Sequence, residues 1–461
     1  MSSERILTGW GRTAPTSASV TRPRSPTEVA TALHRAPGRG TVARGLGRAY
    51  GDAAQCAGGQ VLDTADITPG LRIDADAGTV TAAAGTSLAE LVRSLVPRGF
   101  FLPVTPGTRH VTLGGAIAAD IHGKNHHRDS SIGAHLRDLT LVTPDGSTRR
   151  LRPDSPHEGR ELFWATVGGM GLTGVITEAT LHLIPVASSR MRVDTDRTPD
   201  LDTTLERMCA SDASHSYTVA WLDLLARGSA TGRGVLTRAE HAHPEELCPR
   251  DRLQPLAYAP ASARLSTPPG LPGGLLNPAT LRAFNTAYYH RAPLRRRGQI
   301  QALDSYFYPL DVVAGWNRLY GPRGLVQYQF VVPFGDAGTA TLRRVVTHLT
   351  QRRAPAFLTV LKRFGAATPA PLSFPSPGWT LAVDLPADTP GLGALLSRLD
   401  AWVLSAGGRI YLAKDSRASA ATVHAMYPRL AEWRRVRDRV DPHGVLTSDL
   451  NRRLLLTAGA V

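Results

Sequence analysis

The sequence predicts an α+β protein, and three observations lead to that fold class. Before residue 185, short alternating segments and capped helices are separated by three glycine-rich loops, which is typical of one mixed domain that holds a ligand. In the middle third, alternating segments stand between helical ones, which indicates an antiparallel sheet flanked by helices. The length of 461 residues is too great for one small core and predicts two or three units.

Composition places the chain among ordinary globular proteins. It is 42% hydrophobic and 20% charged, with no apolar leader at its start and no window near 18 uninterrupted apolar residues. We therefore expect neither a signal peptide nor a transmembrane segment, and a cytoplasmic or peripheral membrane location. Three sparse cysteines, Cys56, Cys209 and Cys248, predict no disulfide framework and fit a reducing compartment.

The net charge of +15 raises nucleic acid, anionic lipid or a phosphorylated substrate as partners. The arginines are scattered and lack the interleaved aromatic residues of a nucleic-acid surface, so we expect no nucleic-acid partner. Two runs are dense. The run 291–297 is a candidate contact with a membrane surface, whereas 433–439 is more typical of a solvated helix face.

Lysine is almost absent from this basic chain. Of 53 basic residues only Lys124, Lys362 and Lys414 are lysines, and each lies in a segment that contains glycine or aromatic residues. An ammonium group is a compact charge whose pKa falls on burial. A guanidinium is a broad, planar group that stays protonated. The pattern predicts positions that need an ammonium group, with chance retention as the alternative.

The first 185 residues carry clear local signals. Ser25 caps a helix that begins at Pro26, and a capping box at Ser87 opens another. Residues 41–55 run from a short strand into glycines, where successive backbone N–H groups can face a diphosphate. A strand hairpin is predicted around residues 76–78, a second around 144–146, and a further glycine loop lies at 168–174.

The stretch 103–127 concentrates glycine and titratable groups more than packing requires. Its glycines alternate with short apolar segments, which is typical of backbone held close to a flat or charged ligand. His122, Lys124, His126 and His127 follow within six residues. Because Asp120 and Asp129 flank them without a ligand spacing, we expect a cofactor or substrate site and no metal site.

The remaining chain predicts a sheet and a C-terminal helix. Strands are expected at 217–222, 326–334, 355–365 and 379–386, with a helix at 339–352 between them. Residues 249–280 have little periodicity and predict a long, mobile loop over a site. One long helix is expected over 418–440, ended by Pro442 and Gly444.

Several of these segments together resemble a known family. They are ARGLGRAYGD, FLPVTPGTRHVTLGGAIAADIHGKNHH, LFWATVGGMGLTGVI, GWNRLYGPRGLVQYQF, APLSFPSPGW, AKDSR and HAMYPRLAEW. They are similar to the decaprenylphosphoryl-β-D-ribose 2-oxidases of actinobacteria, flavoenzymes of the vanillyl-alcohol-oxidase group, and the resemblance covers nearly the whole chain.

The resemblance implies a two-domain FAD fold of this group and a reaction. The FAD domain would be residues 1–186 completed by 409–461, with a substrate domain built on an antiparallel sheet, residues 187–408, inserted between them. The reaction would oxidise the 2-hydroxyl of a polyprenyl-phosphoryl ribose to a ketone, the first half of an epimerisation that makes the arabinofuranose donor for the cell wall. A separate NAD(P)H-dependent reductase would complete the epimerisation, and quinone or O2 would reoxidise FAD. The enzyme would lie on a membrane surface, and that surface could be the periplasmic one.

The resemblance also implies site residues. The FAD site would comprise Ala43, Arg44, Gly45, Leu46, Gly47, Arg48, Ala49, Tyr50, Gly51, Asp52, Ala53, Gly107, Thr112, Leu113, Gly114, Gly115, Ala119, Asp120, Ile121, His122, Ile176 and Tyr411. The substrate would meet Tyr50, Lys124, Trp221, Tyr308, Gln327, Gln329, Lys362, Phe364 and Ala382, and the catalytic residues would be His122, as base or orienting group, and Lys414.

The chain departs from its relatives at three positions. Where covalent sugar oxidases attach FAD through a histidine, this chain has Arg48, so non-covalent FAD is expected. Ala382 stands where the ribose oxidases usually have a cysteine, and Thr380 where they have an asparagine. An alternative within the same chemistry is an oxidase of a soluble alditol, aldonolactone or nucleoside-like sugar, and an alternative outside it is an arginine-rich protein that binds nucleic acid or membranes.

Overall fold

A computed structural model of the chain describes residues 3–67, 70–260, 265–268 and 270–457. Its strands are β1 (Ser3–Leu7), β2 (Thr16–Thr21), β3 (Thr41–Arg44), β4 (Gln60–Asp63), β5 (Arg72–Asp74), β6 (Thr79–Ala83), β7 (Phe100–Phe101), β8 (Leu136–Val142), β9 (Thr148–Leu151), β10 (Val175–His182), β11 (Ile184–Pro185), β12 (Arg190–Thr198), β13 (Tyr217–Leu222), β14 (Gly234–His241), β15 (Leu265–Ser266), β16 (Arg295–Ala302), β17 (Val313–Ala314), β18 (Leu325–Pro333), β19 (Thr359–Phe364), β20 (Gly378–Pro386) and β21 (Arg409–Ile410).

Its α-helices are α1 (Pro26–His34), α2 (Leu88–Leu95), α3 (Leu113–Ala118), α4 (His126–Asp129), α5 (His157–Thr166), α6 (Leu201–Ser211), α7 (Pro249–Arg252), α8 (Pro278–Arg291), α9 (Leu303–Phe307), α10 (Asp336–Gln351), α11 (Leu392–Ser405), α12 (Ala420–Met426), α13 (Leu430–Val440) and α14 (Asp449–Leu454). No helix in these ranges is long and apolar enough to cross a membrane.

Three larger sheets organise the chain, and the mixture of helix and sheet confirms the predicted α+β class. The first has the order β1-β2-β4-β3, and β3 runs parallel to β4. The second, β5-β6-β10-β8-β9, is antiparallel in its pairings. The third has eight strands in the order β16-β12-β14-β13-β19-β20-β18-β21 and is antiparallel throughout.

Helix caps and turns form as the sequence predicts. The Ser25 side chain accepts a hydrogen bond from the N–H of Glu28 at the start of α1, and Ser87 and Glu90 form a reciprocal capping box at α2. The predicted hairpins join β5 to β6 and β8 to β9. The strands expected in the middle third are β13, β18, β19 and β20 of the third sheet.

Two expectations about regular structure are wrong. The predicted helix over 418–440 is two helices, α12 and α13, because Pro428 lacks an N–H and its ring disfavours helical backbone at the residue before it. Residues 249–280 are not one loop, since α7, β15 and the first turn of α8 lie in them. Within that segment, residues 261–264 and 269 lie outside the described ranges, so the predicted mobility has no test there.

The last strand ties the end of the chain to the third sheet. β21 pairs with β18 at Phe330 and Val331, so residues that follow 408 in sequence extend the sheet built by the middle of the chain. Nearby, the N–H of Tyr50 donates to the carbonyl of Ala413 at 2.9 Å. The boundaries 1–186, 187–408 and 409–461 stay a prediction, and residues 458–461 lie outside the described ranges.

Candidate active site

A cavity of about 750 Å³ lies between the glycine loops and the third sheet. The side nearest the first sheet is lined by residues 43, 45–50, 105–108, 111–112, 114–116 and 118–119, with 121–124 at the centre. The opposite side is lined by strand residues that include Gln327, Gln329, Val360, Lys362 and Ala382, and by Tyr411, Ala413 and Lys414. A ligand in this cavity therefore contacts residues from all three thirds of the sequence.

The loop after β3 presents unpaired backbone donors to the cavity. Among the described residues, none accepts a hydrogen bond from the N–H groups of residues 46–49, and Gly47 has a φ of +63°. The Arg44 guanidinium supports this loop from behind, donating to the carbonyls of Thr8 (2.7 Å) and Ala54 (3.0 Å). A row of free N–H groups at a turn forms a concave anion site, which suits a diphosphate.

Two glycines leave space for a flat group beside this loop. A Cβ atom built at Gly107 or at Gly171 would meet no atom within 4 Å, and both residues line the cavity. At Gly45, in contrast, a Cβ would lie 2.2 Å from Thr112 Oγ1, so that glycine allows a close approach of two segments. The free N–H groups and the open space over Gly107 and Gly171 fit the diphosphate and ring system of FAD.

Arg48 adds a cation at the same end of the cavity. Its guanidinium carbon lies 3.9 Å from the centre of the Trp10 ring, a cation–π contact. Burial lowers the pKa of Arg48, and the nearby charge of Asp311 partly offsets that effect. Arginine remains charged after such a shift, so this end of the cavity carries a permanent positive charge.

His122 is held in place by its neighbour Asp120. Asp120 has a positive φ of 41° and is fully buried, and it accepts hydrogen bonds from four groups: the hydroxyls of Ser131, Thr368 and Ser373 and the N–H of Gly133. Two of those donors precede β8, and the other two lie between β19 and β20 of the third sheet. Asp120 does not line the cavity, and these bonds anchor the loop that carries His122; its contact with the cofactor stays a prediction.

The His122 ring lies between two polar side chains and an aromatic wall. Its Nδ1 is 3.2 Å from Lys362 Nζ, its Nε2 is 3.0 Å from Gln329 Nε2, and the Phe364 ring centre is 4.7 Å away. Burial lowers the pKa of His122 well below its usual value, and the charges of Lys362, His126 and Lys414 lower it further. His122 is therefore neutral at pH 7.

All three lysines of the chain line this one cavity. Lys124 donates to the carbonyl of Tyr306 and lies 4.1 Å from the Tyr306 ring centre, and Lys414 lies 4.0 Å from that of Tyr50. Burial lowers the pKa of both Lys124 and Lys362 to about 7, with a nearby ammonium as the second cause in each case. These groups exchange a proton near neutral pH, which no arginine at the same positions would do.

The sequence prediction missed Asp384, on β20. None of its surface is exposed, it accepts a hydrogen bond from Gln327 Nε2, and Gln327 also contacts the Tyr50 hydroxyl. Burial lowers the pKa of Lys414, and the charge of Asp384 raises it in part. The available signal was a lone carboxylate inside a mostly apolar strand, WTLAVDLP.

Most predicted FAD residues line the cavity. Those that do are Ala43, Gly45, Leu46, Gly47, Arg48, Ala49, Tyr50, Ala53, Gly107, Thr112, Gly114, Gly115, Ala119, Ile121, His122, Ile176 and Tyr411. Besides Asp120, the exceptions are Arg44, Gly51, Asp52 and Leu113. Gly51 packs against the backbone of Asp415, Asp52 pairs with Arg453, and Leu113 is a core residue.

Most predicted substrate residues also line the cavity. Those that do are Tyr50, Lys124, Trp221, Gln327, Gln329, Lys362 and Ala382, together with the predicted catalytic residue Lys414. Tyr308 and Phe364 do not, and their direct contact with the substrate stays a prediction. The Tyr308 hydroxyl bonds to Thr105 at 2.8 Å, and Phe364 packs behind His122. Both are buried support for the cavity wall.

The cavity continues as an apolar passage under α8, which the sequence prediction did not identify. Val193, Val219 and Val235 line it on the sheet side, and Tyr288 lines it on the helix side, with its ring centre 4.7 Å from that of Trp221. Arg291, Ala292 and Pro293 line the same passage where α8 ends. The basic run 291–297 is thus not one patch, because Arg295 and Arg297 lie on the other face of the sheet, in a separate cleft.

His126 and His127 do not form a metal site with His122. In the described part of the chain, no group of three or more His, Cys, Asp or Glu side chains is placed to hold a metal ion. The His126 ring packs on Phe364 at 4.4 Å between centres, and burial lowers its pKa to about 3. His127 Nε2 lies 3.0 Å from the carbonyl of His215.

Comparison with known proteins places the site in a family context. A family described as an FAD binding domain matches residues 17–152, and one described as D-arabinono-1,4-lactone oxidase matches residues 327–454. The chain is 43% identical over 454 residues to the decaprenylphosphoryl-β-D-ribose oxidase of Mycolicibacterium smegmatis. The aligned residues cover 98% of this chain and 97% of that protein.

Two further relatives are of interest. An uncharacterized protein of Streptomyces coelicolor is 43% identical over 376 residues, 80% of this chain and 98% of its own length. The alditol oxidase of a Streptomyces species is 26% identical over 458 residues, 97% of this chain and 99% of its own length. The two family matches cover loop residues 46–49 in one case, and Gln327, Lys362 and Lys414 in the other.

Proposed function

This chain belongs to the family of the decaprenylphosphoryl-β-D-ribose oxidases and is an FAD-dependent oxidoreductase, and on that premise we propose its substrate and mechanism. The substrate is a polyprenyl-phosphoryl-β-D-ribofuranose, whose 2-hydroxyl is oxidised to the 2-keto sugar. The observation that carries this proposal is the cavity itself, where three lysines and His122 meet at one end of an apolar passage. A sugar phosphate with a lipid tail matches this arrangement, with its polar head at the lysines and its tail in the passage.

FAD would lie along the glycine loops. The free N–H groups of residues 46–49 and the charge of Arg48 would hold the diphosphate, and the open space over Gly107 and Gly171 would take the ring system. Bound FAD supplies the acceptor for the hydride that leaves the sugar carbon. Arg48 cannot form the histidyl link of covalent relatives, so acid precipitation of the protein should release the yellow colour into the supernatant.

Lys362 is the better candidate for the base that takes the hydroxyl proton. A base works best with a pKa near the working pH, and the pKa of Lys362 is about 7, whereas that of His122 is held well below its usual value. His122, between Lys362 and Gln329, would orient the amine. Lys414, the second predicted catalytic residue, would hold the oxygen from which the proton departs, fixed through Tyr50 and the charge of Asp384.

The phosphate would be held on the passage side of the sugar. Lys124 offers an ammonium group at that point, and Arg291 offers a guanidinium where the passage ends. The phosphodiester of this substrate carries one negative charge, and when bound it would raise the pKa of Lys124 from about 7 and keep that lysine charged. The tail would follow the apolar passage between Trp221, Tyr288 and the valines of the sheet.

We propose that the end of the passage meets a membrane surface. Near Arg291, the side chains of Leu294 (71% exposed), Phe284 (47%) and Tyr288 (45%) are large, apolar and open to solvent, and Arg296 is exposed beside them. Each arginine near an anionic surface contributes about 1 kcal/mol, and the apolar side chains add to this. Binding to vesicles that contain phosphatidylglycerol, weakened by salt and by Leu294→Asp, would support this contact. Equal binding of the variant would contradict it.

Other partners follow from the chemistry. The 2-keto product needs a separate NAD(P)H-dependent reductase to complete an epimerisation, because the sequence has no second dinucleotide fingerprint. Quinone or O2 would reoxidise the flavin. We also propose that the segments 1–186 and 409–461 form the FAD domain around the inserted segment 187–408, with the enzyme on either face of the membrane.

A soluble sugar substrate is the second candidate. The match of residues 327–454 to the arabinonolactone oxidase family and the similarity to an alditol oxidase both favour it. The deciding assay is anaerobic bleaching of the flavin by farnesyl- or decaprenyl-phosphoryl ribose, compared with xylitol, sorbitol and gulonolactone. Fast bleaching by a free alditol or lactone, with none by the lipid-linked ribose, would replace the proposed substrate with a soluble one.

A further inference from the structure

A second cleft, of about 400 Å³, lies on the opposite face of the strands that line the apolar passage. Along β12, Val193 and Thr195 face the passage, and the alternating residues Asp194 and Asp196 face the cleft. Because successive side chains of a strand point to opposite faces, one strand contributes to both. Arg207, Ser211, Ser214 and His215, from α6 and the segment after it, form the other wall of the cleft.

A bulge in the edge strand β16 brings two arginines to this face. Val193 pairs with Gln299 and Thr195 with Arg296, so Arg297 and Gly298 together oppose the single residue Asp194. Gly298 has a φ of +63°, a conformation that glycine adopts without strain. As a result Arg295 and Arg297 line the cleft, while Gln301, on the same strand, lines the passage.

The floor of the cleft holds a buried cation that is incompletely compensated. Arg238 has 7% of its surface exposed and bonds to Asp196, but its Nε has no acceptor among the described residues. Burial lowers the pKa of Arg238 despite the charge of Asp196. Asp196 is shared with Arg297, at 2.8 Å, so one carboxylate serves two guanidinium groups.

The walls of the cleft add further positive charge. In the described ranges neither Arg207 nor Arg295 has an ion-pair partner, and Asp194 is already engaged by the N–H of Gly298 (2.8 Å) and by His215 (3.4 Å). Four arginines therefore face two carboxylates, and both carboxylates have partners. The surplus is two positive charges in a concave site.

We propose that this cleft binds a small anion that carries a phosphate group. Guanidinium groups bind phosphate oxygens in pairs through two parallel N–H bonds, and Arg207 and Arg295, which have no carboxylate partner among the described residues, line the cleft where they can do so. A dianion would neutralise the surplus and give the buried Arg238 a second counter-charge. The site does not depend on the proposed substrate, because the sheet separates it from the main cavity.

The test is calorimetric titration of the flavin-bound protein with inorganic phosphate at fixed ionic strength, with chloride as the reference anion. The variant Arg207→Gln/Arg295→Gln removes the two unpaired cations, and Arg160→Gln/Arg398→Gln removes two exposed arginines elsewhere as a matched control. We expect the phosphate Kd to rise at least tenfold in the cleft variant and to change less than twofold in the control. Arg295→Gln alone, at an exposed edge position, gives the same answer if the double variant does not fold.

Three results would overturn the proposal: no phosphate binding beyond that of chloride, equal losses in the cleft variant and the control, or binding that survives in the cleft variant and disappears in Lys124→Met. The last would place the phosphate in the main cavity. Glycerol 3-phosphate and vesicles of phosphatidic acid then identify the source. Tight binding of the soluble ester indicates a free metabolite, and binding of the vesicles alone indicates a lipid headgroup.

Discussion

The two ends of the main cavity are both positively charged, but the charge comes from different groups. At the glycine-loop end, positive potential comes from backbone N–H groups and from Arg48, and neither loses a proton at physiological pH. At the sheet end it comes from three lysines, two of which have a pKa of about 7. The difference teaches that one end is suited to holding a permanent anionic ligand, and the other to chemistry in which charge and proton change.

Removing the amine of Lys362 should have the largest effect. General base catalysis contributes about 10²- to 10⁴-fold, so Lys362→Met should slow anaerobic flavin bleaching by about 10³-fold while flavin content stays normal. Lys124→Met is the matched control, since it removes the same group from the same cavity. It should raise KM and leave the bleaching rate at saturating substrate within about fivefold, as expected for a binding contact. If the two variants behave alike, Lys362 is not the base.

Exchanging one cation for another at Lys414 tests whether the sheet end of the cavity needs an ammonium group or only a positive charge. Lys414→Arg keeps the charge but loses the compact ammonium over Tyr50, and a lost contact of this kind costs about 2–4 kcal/mol, or roughly 10²- to 10³-fold in turnover. Flavin should be retained. The exchange Arg160→Lys on an exposed helix face should leave turnover unchanged. Turnover of Lys414→Arg within about threefold of wild type would mean that this end, too, needs only a fixed charge.

A change at the glycine end should affect binding of the cofactor and spare the chemistry. Gly107→Leu places a side chain in the open space over the loop, and we expect FAD affinity to fall at least about tenfold, or 1.4 kcal/mol. Gly38→Leu adds the same side chain on the surface and should have no effect. Flavin content after dialysis and bleaching rate per bound flavin are the measurements. A normal affinity in the first variant would show that the ring system lies elsewhere.

The smallest expected effect is that of pH, which should alter the reaction rate but not the affinity for FAD. Lys362 must be neutral to accept a proton, so kcat/KM should rise about tenfold per pH unit below pH 7 and level off above it. At higher pH it should fall again as Lys414 loses its proton, below the usual lysine pKa because burial lowers it. FAD affinity should stay flat between pH 6 and 9. If kcat/KM did not change over that pH range, proton exchange by the lysines would not be part of the mechanism.

The fold class, the caps and most strands were predictable because they depend on local patterns. The three lysines were also identified from the sequence, since their rarity among arginines marks them without any structure. Their meeting at one cavity was not predictable from composition, because Lys124 precedes α4, Lys362 lies on β19 and Lys414 follows β21. Only the fold brings these three distant segments together.

The direction of a side chain, which the sequence does not give, decides whether a predicted site residue lines the cavity. Arg44 and Asp52 lie in the predicted loop, but they point away from the cavity and hold the loop to its surroundings. Phe364 is adjacent to cavity residues and yet packs behind His122. Asp384 was missed because a buried carboxylate on an apolar strand is recognised only when Gln327 is seen against it.

The link between the glycine loop and the end of the chain has a consequence for biosynthesis. Tyr50 bonds to Ala413, and Asp52 pairs with Arg453, 401 positions later. During translation the loop emerges long before these partners, and contacts of such sequence separation form late because chain entropy opposes closing so long a loop. The nascent loop therefore lacks these contacts until residues 413 and 453 have left the ribosome. FAD should load only after that point of translation, and a chain released before residue 413 should not acquire it.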